Sequence, residues 1–415
     1  MPDSPTPARA DVLPRRAPAL TVVAFDGEQV IYDPARREAH LLNPTAALVL
    51  DRCDGRTPVD TLVAELAATY DADPAVVGHD VELVLADFAG RELAARPGDP
   101  SPDRPTAEPA PVAPDAAAFS GPGPRHAAGG WAWESPVLDA LGWRTKVRSD
   151  EPLVARYVEQ VFASLAEPAA GADAPPGGAP VPTFDVVAEG DVVHLLLDGQ
   201  VLTTVDDLDA AMTYLHWQIN QLAIESVDDH VLLHASGVRR PDGVAVFPAE
   251  SNSGKSTLAA GLVQAGLGYV TDEAVAIELG DGMVEPFPKP ISLDPGSWPI
   301  FPTLEPSIEG AAGRFFHHEW HLDPRTLHPG ALADLGARQP VTLVAFPRYE
   351  MGAETHAELM RPAEALLGLL RNAFNLAIVG PPGVHALANV AREATVVRLT
   401  VGDLAEAVAL VGALS

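Results

Sequence analysis

The residues best suited to chemistry lie in one stretch, VAVFPAESNSGKSTLAAGLVQAGLGYVTDEAVAI, which spans residues 244–277. It contains Gly254, Lys255 and Ser256 in the order with which phosphate-binding loops end. In such a loop, backbone N–H groups converge on phosphate oxygens at a helix N-terminus, the lysine reaches the outer phosphates and the hydroxyl binds Mg²⁺. Ala249 takes the place of the motif's first glycine. The predicted nucleotide-binding residues are Glu250, Ser251, Asn252, Ser253, Gly254, Lys255, Ser256 and Thr257.

Two carboxylates follow the lysine at a spacing that suits phosphoryl transfer. Asp272 and Glu273 come 17 and 18 residues after Lys255, at the end of the next predicted strand. One could hold Mg²⁺ directly or through water, and the other could take a proton from an attacking hydroxyl. The alternative interpretation is a solvated strand end beside an inert glycine turn.

The elements around these residues have the order that a phosphate loop requires, which is strand, loop, helix and strand. Alternating apolar and polar residues upstream indicate antiparallel strands, and an amphipathic stretch after them indicates a long helix. The pattern predicts an α/β domain with a mixed β-sheet. Its predicted elements are strands within 183–205, a helix at 208–226, strands at 230–238 and 243–250, a helix from Lys255 to about Ala265 and a strand at 268–272.

Three segments together, LLHASGV (232–238), AESNSGKST (249–257) and YVTDE (269–273), resemble the catalytic core of HPr kinase/phosphorylase. That family carries a histidine strand, a G-E-S-G-x-G-K-S loop and an Asp-Asp pair. The resemblance runs from about residue 184 to 411 and is greatest to HPr-kinase-like proteins of peptide-modification gene clusters. It implies a P-loop kinase domain that uses ATP and Mg²⁺ and forms a homo-oligomer. The family's dephosphorylation motif is not visible, which favours a kinase only.

The resemblance also implies roles for individual residues. Asp272 matches the first acid of the family's pair and would bind Mg²⁺ together with Ser256. Glu273 falls on the second acid, which serves that family as catalytic base, although glutamate is one methylene longer than the family's aspartate. His234 precedes Lys255 by 21 residues, as in that family. The implied catalytic residues are Glu273, Asp272, Lys255 and His234.

Other cationic or imidazole side chains are further candidates. Lys289 and Arg348 could stabilise charge on a transferring phosphoryl group, or they could be structural cations. His317, His318 and His321, within FFHHEWHLD, resemble a metal-ligand cluster, but no helical pattern holds them in one geometry. We interpret that segment as a loop with incidental histidines.

The first hundred residues indicate a separate small domain. Short strands are broken at turn dipeptides such as Asp26-Gly27, and three helices follow. The first and third helices have a capping residue, Asn43 or Asp73, immediately before a proline. The predicted organisation is a disordered tail at 1–18, a small winged-helix-like α+β domain at 19–95, a Pro/Ala-rich linker at 96–130 and a C-terminal α/β domain at 131–415, with its nucleotide core at about 228–415.

This N-terminal region resembles PqqD, the small peptide-binding domain of ribosomal peptide modification, over roughly residues 19–95. The resemblance is carried by Leu42–Ala46, the Asp54-Gly55 turn and the helix at 74–93. In that family a leader peptide adds a strand beside the sheet and packs against the third helix. The resemblance implies that Glu38–Leu42 is the receiving strand. The groove residues it implies, each of which could equally be core, are Val77, Val81, Leu83, Val84 and Phe88.

Composition limits the classes of partner. A net charge of −30 repels phosphate backbones and anionic lipid, so we expect no nucleic-acid partner and no membrane partner. Cys53 is the single cysteine, which excludes an intrachain disulfide and a thiolate zinc site, and we interpret it as a core residue. Without a secretory signal or a long apolar run, the chain is expected to be cytoplasmic.

Together the two resemblances predict a peptide serine/threonine kinase. The N-terminal domain would capture the leader of a ribosomally made precursor peptide, and the linker would raise the local concentration of the attached core peptide. The C-terminal domain would then transfer the γ-phosphate of ATP to a Ser or Thr hydroxyl. Two alternatives stay open. One is a non-catalytic nucleotide- and peptide-binding chaperone or scaffold for another modifying enzyme, and the other is a small-molecule kinase.

Overall fold

The chain folds into two compact units. The computed structural model describes residues 12–95, 130–167, 180–250, 253–311, 313–333 and 335–414. Unit 1 consists of Met1–Pro109 and Arg361–Arg371, and unit 2 consists of Ala110–Met360 and Asn372–Ser415. The first eleven residues of the predicted tail, nearly all of the predicted linker and two residues of the predicted phosphate loop lie outside the described residues. The expectations for them are not tested.

Unit 1 combines two small antiparallel sheets with helices. Its N-terminal elements are β1 (Arg15–Arg16), β2 (Thr21–Phe25), β3 (Glu28–Asp33), β4 (Glu38–Leu42), α1 (Pro44–Asp51), α2 (Val59–Tyr70), α3 (Pro74–Gly90) and β5 (Ala94–Ala95). The strands β2, β3 and β4 pair in that order, and β1 pairs with β5. The predicted caps are confirmed, because Asn43 accepts a hydrogen bond from the N–H of Ala46 and Asp73 accepts one from that of Ala75. The three helices pack against one face of the β2–β4 sheet.

Residues 12–18 correct the predicted extent of the disordered tail. The side chain of Leu13 is fully buried in the core formed with α1, α2 and α3. Arg15 and Arg16 pair with Ala95 and Ala94. The single apolar Val-Leu dipeptide within a proline- and arginine-rich stretch is enough to anchor the chain, because it fills a gap in the core.

A helix from far along the chain completes unit 1. This helix, α7 in chain order (Pro362–Arg371), contacts β2, β3 and β4. Ile31 packs with α1–α3, so its strand neighbours Val30 and Tyr32 point to the opposite face of the sheet. Both neighbours are buried. Since the buried side of α7 carries Leu366 and other apolar residues, we infer that α7 covers this second face.

The front part of unit 2 is a mixed sheet with two helices. Its elements are β6 (Trp133–Glu134), β7 (Leu138–Ala140), β8 (Trp143–Ser149), α4 (Pro152–Val161), β9 (Thr183–Glu189), β10 (Val192–Leu197), β11 (Gln200–Val205) and α5 (Leu208–Ser226). The strand order is β11-β10-β9-β8-β6, with β7 beside β8, and the β8–β9 pair is parallel. The long amphipathic helix predicted at 208–226 is confirmed as α5.

The rest of unit 2 carries the predicted phosphate-loop elements. They are β12 (His230–Arg240), β13 (Gly243–Pro248), α6 (Lys255–Gln264), β14 (Gly268–Thr271), β15 (Ala274–Glu278), β16 (Met283–Glu285), β17 (Ile291–Leu293), β18 (Trp320–Leu322), β19 (Gln339–Tyr349), β20 (His356–Leu359), α8 (Leu376–Glu393), β21 (Thr395–Val401) and α9 (Leu404–Ala413), with short 3₁₀ turns at Trp298–Ile300 and Pro324–Thr326. The strands predicted around the phosphate loop and the helix after it are confirmed within two residues.

One sheet places β13, the strand before the predicted phosphate loop, beside the parallel strand β19. β13 pairs in parallel with β19, and β19 pairs in parallel with β21, whereas β12 runs antiparallel to β13 and β15. The mixed α/β architecture that the sequence predicts is confirmed at this level. α8 is interrupted at Gly380, where φ is +57°, and Pro381 follows as a residue that can begin a new helical turn.

None of the described helices is both long enough and apolar enough to cross a lipid bilayer.

Truncating Leu366 to alanine tests whether α7 stabilises unit 1. Cys53 reports the opening of this unit, because it is the chain's single cysteine, is buried, and burial beside Asp54 raises its pKa to about 12. Leu366 is fully buried, so the substitution should cost about 2–4 kcal/mol and speed thiol alkylation about 30- to 1000-fold. Leu359→Ala, at a leucine that is 79% exposed, is the matched control and should leave the rate unchanged. Equal rates in both variants would show that α7 does not support unit 1.

Candidate functional site

The segment between β13 and α6 has the backbone features of an anion-binding turn. Gly254 caps α6 in a left-handed conformation with φ of +86°, which favours glycine. The first turn of α6 has no side-chain cap and no acidic residue, so no side chain of this turn occupies its N–H groups. Ser253 Oγ is buried and has no hydrogen-bond partner among the described residues. Ser251 and Asn252 lie outside the described residues.

Alanine at position 249 is compatible with this turn. Ala249 is buried, and its N–H donates to the carbonyl of His234 at 3.4 Å. It is not among the residues with positive φ, so a methyl group causes no backbone strain there. The missing first glycine of the motif is therefore no structural obstacle. Glu250, the next residue, is exposed.

The predicted acidic pair lies at the sharp connection between β14 and β15. Asp272 is 1% exposed, and its Oδ2 accepts a hydrogen bond from the N–H of Ser292 at 3.0 Å. Glu273 is 35% exposed, so its carboxylate reaches solvent. The backbone carbonyl of Glu273 accepts from the N–H of Ala235, which fixes the pair beside β12.

His234 lies against the acidic pair. Its Nε2 is 3.9 Å from Oε1 of Glu273, and its ring stacks on Phe374 with centroids 5.2 Å apart. Burial lowers the pKa of His234 and the ammonium of Lys255 lowers it further, while Glu273 opposes the shift. The imidazole is therefore neutral near pH 7 and can accept or relay a proton.

Lys255 belongs to the same electrostatic cluster. It is 8% exposed, and burial lowers the pKa of its ammonium, whereas the negative charges of Glu273 and Asp272 oppose the shift. Ser256 and Thr257, which follow in α6, are half-buried. The hydroxyl of Thr257 is 2.6 Å from that of Ser297, so Thr257 is already engaged within the fold.

Of the two cationic candidates, Lys289 is buried beside the acidic pair, whereas Arg348 is exposed. Lys289 is 1% exposed, with Nζ 2.8 Å from Oδ1 of Asp272 and 3.6 Å from Oε2 of Glu273. Arg348 is exposed at the end of β19. A Cβ added to Gly254 would lie 3.9 Å from Cβ of Tyr349, so this end of β19 borders the phosphate-loop segment. Arg348 is thus near the turn but outside the buried ionic cluster.

The histidine-rich segment corrects part of the sequence interpretation. His317 and His318 do lie in a loop, but His321 is in β18 and 2% exposed. Its Nδ1 bonds the hydroxyl of Tyr157, and its Nε2 is 2.9 Å from Oε2 of Glu319. Among the described residues, no three His, Cys, Asp or Glu side chains come together as a metal site. His321 is therefore a buried structural histidine, and the loop prediction is wrong for it.

Two carboxylates near the cluster carried no sequence signal. Burial and the charge of Glu319 raise the pKa of Asp294, and Lys255 opposes the shift. Burial raises the pKa of Glu319, but its hydrogen bond and ionic contact with His321 outweigh burial and lower it overall. Asp294 and Glu319 come from the β17–β18 region, whose pairing brings residues 291–293 beside 320–322. No local sequence pattern predicts that β17 pairs with β18.

Unit 1 contains a second candidate site beside the edge strand β4. Asp87 of α3 and Arg91, which caps this helix, act electrostatically on His40 of β4, which places the C-terminal half of α3 near this strand. Leu83, one turn before Asp87 on the same helix face, is 57% exposed. Of the other predicted groove residues, Val77 and Val84 are half-buried, whereas Val81 and Phe88 are core residues and cannot line a groove.

Comparison with known families identifies this region. Residues 28–94 match the family model described as coenzyme PQQ synthesis protein D (PqqD). The match extends from the start of β3 to the start of β5, so unit 1 contains a PqqD-like domain. The predicted PqqD resemblance is confirmed for these residues. Comparison with curated proteins gives no match to the chain.

Acid should destabilise unit 2 through His216. This residue is 3% exposed, and burial, with Lys289 and His321 adding to the effect, lowers its pKa well below the usual value near 6.5. The unfolded chain binds a proton below pH 6.5 that the folded chain does not, so stability falls as the pH drops from 6.5 towards the lowered pKa. The slope for one proton is at most about 1.4 kcal/mol per pH unit.

Urea unfolding at pH 7.5, 6.5 and 5.5 measures this slope. His216→Leu should reduce the loss of stability between pH 6.5 and 5.5, whereas the exposed His385→Leu should leave the loss as in the wild type. A loss that is identical in all three proteins would show that His216 does not carry the effect.

Proposed function

We propose that the chain is an ATP-dependent kinase that phosphorylates a Ser or Thr hydroxyl of a ribosomally made precursor peptide. One observation carries the proposal. Lys255, His234, Asp272 and Glu273 form a single electrostatic cluster at the turn between β13 and α6, although they come from three separate segments of unit 2. Phosphoryl transfer needs this combination of a cation, a metal-binding carboxylate and a proton acceptor.

ATP fits the turn on several counts. The uncapped N–H groups of α6, the left-handed Gly254 and the unpartnered Ser253 hydroxyl all offer donors to phosphate oxygens. Lys255 would reach the outer phosphates. Arg348, exposed at the neighbouring strand end, could contact the nucleotide from the solvent side.

Mg²⁺ fits a donor set of oxygens, since it binds proteins through one or two carboxylates together with substrate phosphates and water. The hydroxyl of Ser256 and the carboxylate of Asp272 would hold it. Both oxygens of Asp272 already have protein partners, which favours contact through a water molecule. When bound, the ion supplies neutralisation of phosphate charge.

Glu273 is the best-placed group to accept the proton of the acceptor hydroxyl. Its carboxylate is partly exposed, while that of Asp272 is closed off. The acceptor oxygen would form a bond to the γ-phosphorus as the bond to the ADP oxygen breaks, and the hydroxyl proton would pass to Glu273. The neutral His234 beside Oε1 could take that proton onward.

The PqqD-like domain supports a peptide substrate. β4 is an edge strand of its three-stranded sheet, so its outer backbone groups can pair with an added strand. Leu83 offers an exposed apolar contact on the adjacent helix, and the exposed Asp80 one turn earlier favours a peptide with basic residues, whereas Asp87 already pairs with Arg91 at 2.9 Å. We propose that a leader peptide binds along this edge.

A scaffold that binds nucleotide and peptide without catalysis is the second candidate. The ion pair between Lys289 and Asp272 favours it, because a carboxylate already neutralised by an ammonium is a poorer metal ligand. Catalytic turnover separates the two candidates.

Transfer of label from radiolabelled ATP to the precursor peptide tests the kinase directly. Glu273→Gln should reduce the rate about 10²- to 10⁴-fold through loss of the base, with nucleotide binding retained. Lys255→Met should weaken nucleotide binding and remove transfer. Lys146→Met, at a partly exposed surface ion pair with Glu134, is the control and should behave as the wild type. Wild-type nucleotide binding without any transfer would support the scaffold.

Leader recognition is tested by Leu83→Asp. An added carboxylate in an acidic, partly apolar groove should weaken leader-peptide affinity at least about tenfold in fluorescence polarisation. Because Leu83 is exposed, the unfolding midpoint should stay unchanged. Leu48→Asp, at a 41% exposed leucine of α1, is the matched control. A point change is preferable to deleting residues 12–95, since deletion would also remove the sheet on which α7 packs. Transfer to a small molecule that ignores Leu83→Asp would favour a small-molecule kinase.

A further inference from the structure

Lysine is scarce in this chain, and its positions are informative. Of the 27 lysine and arginine residues only three are lysines, namely Lys146, Lys255 and Lys289. Two of the three belong to the ionic cluster and are almost fully buried. Arginine carries a planar fork of five donors, whereas lysine carries a compact point charge. Lys255 and Lys289 are thus lysines at positions where a compact cation is enclosed, in a chain whose other cations are nearly all arginines.

The surroundings of Lys289 hold its ammonium against the acidic pair. Its backbone N–H donates to the carbonyl of Phe287 at 2.8 Å, and its own carbonyl accepts from the hydroxyl of Tyr269 at 3.0 Å. From this fixed backbone, Nζ reaches both Asp272 and Glu273. Only 1% of the side chain is exposed. A phosphate arriving from solvent would have to reach an ammonium that is enclosed and already paired with Asp272.

Charge balance explains why the ammonium stays. Two adjacent carboxylates repel each other, and a buried cation without a partner is costly. Burial lowers the pKa of Lys289, but the charges of Asp272 and Glu273 outweigh burial and raise it overall. The three groups therefore stabilise one another, and removing the cation leaves a buried carboxylate unpaired.

We propose that Lys289 is a positioning residue for the acidic pair and not a ligand of the nucleotide. Its ammonium anchors Oδ1 of Asp272 while the Ser292 N–H holds Oδ2, so the Asp272 carboxylate has one orientation. It also draws Oε2 of Glu273 to 3.6 Å and leaves Oε1 facing His234 at 3.9 Å. Both distances exceed a hydrogen bond, so the lone pairs of Glu273 remain available to an acceptor hydroxyl. The effect of Lys289 on catalysis rests on the proposed kinase function, but its contact with the acidic pair does not.

Nucleotide binding separates positioning from ligation. ATP is titrated calorimetrically into the full chain without Mg²⁺, so that the metal role of Asp272 does not contribute. Lys289→Met should bind ATP within about threefold of the wild type, whereas Lys255→Met should lose at least about tenfold. A comparable loss in Lys289→Met would show that Lys289 contacts the phosphates and would overturn the assignment.

Turnover then tests the effect on chemistry. With Mg·ATP and the precursor peptide, Lys289→Met should lower kcat at least about 100-fold and leave KM for ATP within about threefold, because only the reacting groups are misplaced. Lys289→Arg should not restore kcat, since the larger guanidinium does not fit the enclosed position. An unchanged kcat with a raised KM contradicts the proposal.

A double-mutant cycle of thermal unfolding tests the contact between Lys289 and Asp272 without nucleotide or peptide. Lys289→Met and Asp272→Asn should each lower Tm by about 5 to 15 °C, and the double variant should lose much less than both losses together. Lys146→Met should change Tm by less than about 2 °C. If Lys289→Met alone does not fold but the double variant does, that result supports the stabilising contact between Lys289 and Asp272. Additive losses, or a double variant that also fails to fold, overturn it. If the wild type transfers no phosphate, the kinase proposal is wrong, but the result of the unfolding cycle is unaffected.

Discussion

The buried contact between the ammonium of Lys289 and the carboxylate of Asp272 is the constraint on which the rest of the site depends. Removing two ions from water costs several kcal/mol each, so such a pair persists only where geometry and further hydrogen bonds compensate. Here the compensation joins β14, β15 and β17, because Asp272 lies in the connection between the first two and accepts a hydrogen bond from the N–H of Ser292 in the third. The pair thus fixes the strand connection whose next residue, Glu273, reaches solvent.

A polar path leads from this pair into the core of unit 2. Ser292 hydrogen-bonds Glu319 through its side chain and Asp272 through its backbone. Glu319 bonds His321, and His321 bonds Tyr157 of α4. Each of these residues has at least one polar partner, and buried networks whose members are paired give a fold a unique arrangement. The acidic pair is therefore supported by groups that lie deeper in the fold.

Sequence reasoning predicted what local patterns encode. The caps Asn43 and Asp73 fixed two helix starts, alternation identified the strands, and the glycine-lysine-serine run placed α6. It did not predict what depends on long-range packing. His321 and Glu319 acquire their partners only because β18 pairs with β17, and the amphipathic pattern of α7 says nothing about which sheet it covers. The sequence left open whether Lys289 is a phosphate-stabilising or a structural cation, because its contact with Asp272 depends on long-range packing.

The late position of α7 in the chain affects how unit 1 is made. Roughly 270 residues separate β5 from α7. At translation rates of about 5 to 20 residues per second, the nascent sheet waits about 13 to 55 s before the helix that covers its second face leaves the ribosome. During that interval α7 does not yet cover Val30 and Tyr32. The N-terminal domain therefore cannot complete its folding first, as a domain at the start of a chain ordinarily does.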